Sequence, residues 1–253
     1  MILASLLVVG FSFAEATTQV RLRAVVQPTV RPEPQVAEIG SDSRLGVETA
    51  AQVQPAPEES CDDLRVLVDR SHTLPPDYAP DDLVSLSEYR VPTLGGGEML
   101  LRREAAGHLR RLVKGAAADG EELVVASAYR SYAHQQASYA RLTSIYGTEA
   151  GEMSATPGHS QHQLGTAVDF TNAAAGYEIW DYFGDTSAYS WLKDHAREYG
   201  FVLAYPSGKE AETGYQWEPW HYRYVGTKNA GRLEESGLSL QEFLTREGVL
   251  PRC

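Results

Sequence analysis

Two separated stretches, His162-Gln-Leu-Gly-Thr-Ala-Val-Asp169 and Glu218-Pro-Trp-His221, restrict the folds open to this chain more than any other feature. They hold two imidazoles and two carboxylates, and for these to act together the fold must bring residues about fifty positions apart to one point. Two neutral His and one ionised Asp would leave a bound Zn²⁺ with a net charge near +1 and a fourth position open to water, as catalytic rather than structural zinc sites require. Glu218 is then the spare carboxylate that takes the proton of that water. Spacing alone leaves the metal open, because a non-haem iron oxygenase also uses two His and one carboxylate. Its first His and acid usually stand closer together than His162 and Asp169 do.

The neighbours of these residues favour convergence. Gly165 lies between His162 and Asp169, and a tight turn there brings a loop His and a strand Asp back to one place. Pro219 cannot donate to a sheet ladder, so Glu218 and His221 are freed from strict strand alternation and can face one side. Arg223 shares the His221 face of a regular strand and is a candidate support for it.

The chain has 253 residues, 43% of them hydrophobic, and a formal net charge of −12. One sizeable core is expected, and the acidity argues against a nucleic-acid partner or an anionic lipid surface. Residues 1–14 carry an apolar run, Ile2 to Ala14, too short to span a bilayer and bounded by Glu15. Ser12-Phe-Ala14 supplies small residues at a cleavage-site spacing, so this stretch is expected to be a signal peptide or a truncated export segment, with an uncleaved anchor as the alternative. Residues 15–60 lack Phe, Trp and Tyr and are broken by five prolines. They cannot bury enough apolar surface to offset ordering and are expected to be a disordered linker. Residues 61–253 then form the domain. Cys61 and Cys253 stand at its two ends, and an oxidising compartment would let them pair.

Within the domain, Leu64 to Asp69 is expected to be a strand, and the apolar spacing of Leu101, Ala105, Leu109, Leu112 and Ala116 predicts a helix between Glu98 and Ala118. Leu123 to Ser127 is a strand by its β-branched density. A helix follows from about Ala133 to Tyr146 with Ser131 as its N-cap, which places Arg130 at a strand-to-helix junction. Residues 147–161 are expected to be a loop. Ala167 to Phe170, Phe201 to Tyr205 and His221 to Val225 are further strands, and Tyr189 to Tyr199 is a helix closed by Gly200. Short strands mixed with helices, without βαβ alternation, predict an α+β fold with a small antiparallel sheet flanked by helices.

These residues resemble a known family. Ser160-Gln-His162-Gln-Leu-Gly165-Thr-Ala167-Val-Asp169 and Glu218-Pro-Trp220-His221-Tyr-Arg223-Tyr match the two ordered motifs of the VanY-type D-alanyl-D-alanine carboxypeptidases, relatives of the VanX dipeptidases and the LdcB-type L,D-carboxypeptidases. The resemblance runs from about Val66 to Val225 and includes Ser127-Ala-Tyr-Arg130-Ser-Tyr. It implies a single zinc peptidase domain, with zinc held by His162, Asp169 and His221 and with Glu218 as general base. It also implies that Arg130 stabilises the tetrahedral oxyanion, and that Gln135 and Ser160 bind the terminal D-Ala. Trp220 either lines the cleft or packs the core. The other histidines, at 72, 108, 134, 159 and 195, are expected to be surface or structural groups.

The implied function is an exported zinc carboxypeptidase that removes the C-terminal D-Ala from peptidoglycan stem peptides. A monomer without stable membrane insertion after processing is expected. The alternatives are an L,D-carboxypeptidase acting on tetrapeptides and, from another class, a non-catalytic wall-binding module. Retention of Glu218 and Arg130 speaks against the last, since binding alone needs no base beside an open metal position.

Overall fold

A computed structural model describes residues 61–247 and 249–253. The expected export segment and linker, residues 1–14 and 15–60, lie outside the described residues. The strands are β1 (Leu83–Ser85), β2 (Leu100–Arg102), β3 (Val124–Ser127), β4 (Ala167–Thr171), β5 (Phe201–Leu203) and β6 (His221–Tyr224), the last four formed from the β-branched and aromatic runs. Strands β1 and β2 pair by themselves, and the other four make an antiparallel sheet in the order β3-β4-β6-β5. The helices are α1 (Arg103–Ala118), α2 (Tyr132–Tyr146), α3 (Ala150–Met153), α4 (Ser187–His195), α5 (Glu210–Thr213), α6 (Thr227–Ser236) and α7 (Leu240–Glu247). This is the expected α+β architecture.

Alternation along the strands divides the sheet into two faces. Val125, Val168, Phe170, Phe201, Tyr222 and Tyr224 join the apolar stripe of α1 and the buried face of α4, including Leu109, Leu112 and Leu192, in the main core. Asp169 and His221 fall on the opposite face, which is thereby left for chemistry. A second cluster packs α6 and α7 through Leu233, Phe243 and Leu244 against Val202 and Val225.

Three local expectations are corrected. Leu64 to Asp69 is not a strand. It is an irregular buried segment whose carbonyls are held by a side chain, with Arg223 Nη2 donating to Leu64 O (3.0 Å) and Val66 O (2.6 Å). Arg223 itself is fully buried there. It shares the strand face of His221 but lies two residues, roughly 7 Å, further along, so it braces this segment rather than the site. The helix expected from Glu98 begins only at Arg103, because Leu100 to Arg102 pair with Ser85 to Leu83 first. The expected loop 147–161 contains α3, and a 3₁₀ turn runs from Gln161 to Leu164.

Gly165 ends that turn at φ 66°, and a Cβ added there would meet Leu83 Cδ2 at 2.9 Å and Arg102 Cγ at 3.0 Å. Left-handed backbone costs an L side chain about 1–2 kcal/mol, and the crowding adds a comparable amount. Gly165→Ala is therefore expected to destabilise the fold by about 2–4 kcal/mol in chemical denaturation. A loss below about 0.5 kcal/mol would show that the turn relaxes freely.

Cys61 and Cys253 form a disulfide with a Cα–Cα separation of 5.5 Å, as the sequence led us to expect.

Candidate active site

The central row of the sheet builds the site. Asp169 lies opposite Ser127 on one side and opposite His221 on the other. A register shift between Val125 and Ser127 makes the first pairing possible, a use of a β-bulge that re-aims a side chain. Directly paired residues of neighbouring strands project to the same face, so the carboxylate and the imidazole meet without help from a loop. His162 arrives separately, on the 3₁₀ turn capped by Ser160, whose Oγ accepts from the His162 N–H (3.3 Å).

The two rings present different nitrogens to the carboxylate. His162 Nε2 lies 3.2 Å from Asp169 Oδ2, and His221 Nδ1 lies 2.9 Å from Asp169 Oδ1. The outer nitrogens rest on oxygens, His162 Nδ1 on Ala128 O (2.7 Å) and His221 Nε2 on Gln161 Oε1 (3.2 Å). Among the described residues, His162, Asp169 and His221 form a group whose ligand atoms all lie within 4.8 Å of one another, and all three are buried. Burial alone would raise the Asp169 carboxyl, but the two imidazoles outweigh it and hold the group far below the usual carboxylate range. Burial keeps His162 below its ordinary value despite Asp169, which favours the neutral ring. Two imidazoles with an ionised carboxylate are a donor set that zinc takes, so the residues fit the metal implied by the sequence.

Glu218 precedes β6, and its Oε2 lies 3.7 Å from His221 Nδ1. Burial raises its carboxyl from 4.5 to about 7, against the pull of His221 and Arg130. Arg130 projects from the β3–α2 junction, held by bonds from Nη2 to Ser127 Oγ (2.9 Å) and from Nη1 to Gln135 Oε1 (2.8 Å), with Nη2 4.0 Å from Asp169 Oδ2. Gln135 is buried on the first turn of α2, and its Nε2 donates to Ser154 Oγ (3.1 Å) and Ala155 O (2.5 Å). It thus ties Arg130 to the 154–155 loop. These groups, with Ser160, Trp180 and Trp220, line a cleft of about 390 Å³. Trp220 does both things considered for it, lining the cleft while packing partly against the main core.

All eight site residues expected from the sequence therefore lie in or at this one cleft. His72, His108, His159 and His195 bond elsewhere, through Asp69, Tyr199, the Asp69 carbonyl and Glu198 respectively. The sequence reading missed Gln161, Ser127 and Tyr205. Gln161 and Ser127 were visible only as polar neighbours of His162 and Arg130. Tyr205, whose ring lies 5.0 Å from that of His221, carried no signal at all.

Residues 98–227 match the VanY family of D-alanyl-D-alanine carboxypeptidases. The chain belongs to this family. It is 35% identical over 192 residues to the putative carboxypeptidase YodJ of Bacillus subtilis (strain 168), covering 73% of this chain and 68% of that protein. Among solved structures, the LdcB LD-carboxypeptidase is similar with a TM-score of 0.68 and 36% identity, over 73% of this chain and 87% of that one. A mutant of the vancomycin-resistance D,D-pentapeptidase VanY from a VanB-type resistance cassette, in complex with Zn(II), gives a TM-score of 0.58 and 31% identity, over 71% and 98%.

Proposed function

We propose that this VanY-family enzyme is a zinc-dependent carboxypeptidase that hydrolyses the C-terminal D-Ala from peptidoglycan stem peptides ending in D-Ala-D-Ala. The observation that carries this reading is the convergence of His162 Nε2, His221 Nδ1 and the Asp169 carboxylate beside Glu218 on the floor of one cleft. His162, Asp169 and His221 would hold the zinc. Bound zinc supplies Lewis acidity and brings a water's pKa near neutrality. Glu218 receives the proton of the attacking water and passes it to the leaving amine, a task suited to a carboxylate that lines the cleft beside the metal ligands. Arg130, a fixed cation braced by Ser127 and Gln135, faces the negative charge that develops on the scissile carbonyl oxygen. Ser160, Gln135 and Trp220 shape the pocket for the terminal residue, Gln135 through Arg130.

Residues 61–253 act as the catalytic domain, and the enzyme works as a monomer outside the cytoplasm, at the cell wall. Two features support export: the apolar segment at residues 2–14 and the disulfide, since disulfides persist in oxidising compartments. No helix among the described residues is long and apolar enough to cross a membrane.

Likeness to the LdcB LD-carboxypeptidase favours a second reading, cleavage of the L,D bond of a tetrapeptide. Mass spectrometry of synthetic penta- and tetrapeptides incubated with the full chain separates the two. Loss of one alanine from the pentapeptide, stopped by a chelator and restored by zinc, is expected. Alanine loss from the tetrapeptide alone would establish the L,D reading, and no release from either by the zinc-loaded protein would overturn both.

A further inference from the structure

The two imidazoles of the metal cluster are oriented by different means. His162 Nδ1 rests on a backbone carbonyl, that of Ala128, at 2.7 Å. His221 Nε2 instead rests on a side chain, Gln161 Oε1, at 3.2 Å. We infer that Gln161 is a positioning residue for zinc: its amide oxygen holds His221 in the tautomer and ring orientation that direct the Nδ1 lone pair into the metal site. The inference rests on the zinc reading above.

The geometry determines which end of the amide faces the ring. His221 Nδ1 is the nitrogen nearest both Asp169 (2.9 Å) and Glu218 (3.7 Å), so it is the atom inside the cluster. A metal ion held there would take the Nδ1 lone pair, which would leave the ring proton on Nε2. That proton is buried and needs an acceptor, and the Gln161 oxygen is the group in reach. Gln161 is only 3% exposed, and its backbone is set by the turn between Ser160 and Gly165. One turn therefore delivers both His162 as a ligand and the acceptor for the other imidazole, which lies 60 residues away in the sequence. An amide, unlike a carboxylate, orients the ring without adding negative charge, so the metal keeps its full Lewis acidity.

Outer partners of metal-bound His typically change metal affinity or activity by about 10–100-fold when removed. Competition titration of the metal-free full chain with a chromophoric chelator should show zinc binding weakened by roughly that factor in Gln161→Met. Gln161→Glu, which keeps an acceptor oxygen, should stay within a few-fold of wild type. In the zinc-loaded protein, proton NMR should find a slowly exchanging His221 Nε2 proton that Gln161→Met exposes to fast exchange, while the melting temperature of the metal-free variant stays at the wild-type value. Unchanged zinc affinity in Gln161→Met together with an unchanged ring proton would overturn this inference alone. Failure of the wild-type chain to bind zinc would overturn the functional reading as well. Where Gln161→Met does not fold, the ring proton in wild type and Gln161→Glu decides: it must be protected in both.

Discussion

Glu218→Gln is expected to lower kcat for D-Ala release by about 10²–10⁴-fold, the usual contribution of a positioned general base, with zinc content and KM little changed. The amide keeps the shape of the side chain and cannot accept the water's proton. The same substitution should stabilise the metal-free protein, and the sign follows from burial. The Glu218 carboxyl sits at about 7 in the fold against 4.5 ordinarily. The unfolded chain therefore loses this proton at a lower pH than the folded chain. Glu218 thus withdraws stability as pH rises from 4.5 to about 7, and withdraws the full amount above that. By pKa difference alone the penalty is at most about 3 kcal/mol. The amide of the Glu218→Gln variant escapes it, so denaturation of the chelated variant at pH 8 should show a gain on the order of 1–3 kcal/mol that vanishes near pH 4. Bound zinc, as the largest local charge, favours the carboxylate and should shrink the gain. Retained turnover in a zinc-loaded Glu218→Gln protein would remove this residue from the role of base.

Loss of the Cys61–Cys253 disulfide is expected to have the largest effect on stability. The bond joins residues 192 positions apart, and in the chain-entropy account closing so long a loop restricts the unfolded ensemble by about 5 kcal/mol. For a domain of this size that corresponds to a fall in Tm of roughly 10–20 °C. The segment that Cys61 anchors is otherwise tied down at its backbone. Arg223 grips its carbonyls at Leu64 and Val66, Leu67 N–H donates to Val249 O (2.9 Å), and Tyr78 Oη donates to Cys61 O (2.8 Å). The row Ser127, Asp169 and His221 includes none of these residues. Cys61→Ser with Cys253→Ser should therefore melt early yet retain kcat at temperatures well below its Tm. A fall in Tm of less than about 3 °C would mean that the unfolded chain gains little freedom when the bond is absent.

Much of the site was legible because its residues sit in local signatures. Gly165 marks a tight turn, Ser131 caps α2 through its hydroxyl, and the two motifs single out His162 and His221 among seven histidines. Helices α1, α2 and α4 and the central strands were legible from periodicity and from β-branched density, since α1 has one face to bury and β4 is buried throughout. Where the reading failed, a partner distant in sequence overrode local pattern. Leu64 to Asp69 has strand composition, but its backbone is claimed by Arg223 instead of a neighbouring strand. Leu100 to Arg102 fits the helical stripe, yet pairing with β1 takes it into a sheet.

The sequence supplied the groups from which the chemistry is proposed: two imidazoles, two carboxylates and a turn at Gly165 stand in two motifs whose limits are local to a few positions. How those groups are aimed was settled by packing. The pairing of Asp169 with His221, the bulge that sets Ser127 opposite Asp169, the Gln161 oxygen on His221 Nε2 and the burial that lifts Glu218 toward neutrality all arise between segments far apart in the chain. Register and burial are properties of the packed sheet, in which a shift of one residue would turn Asp169 into the core and dissolve the site.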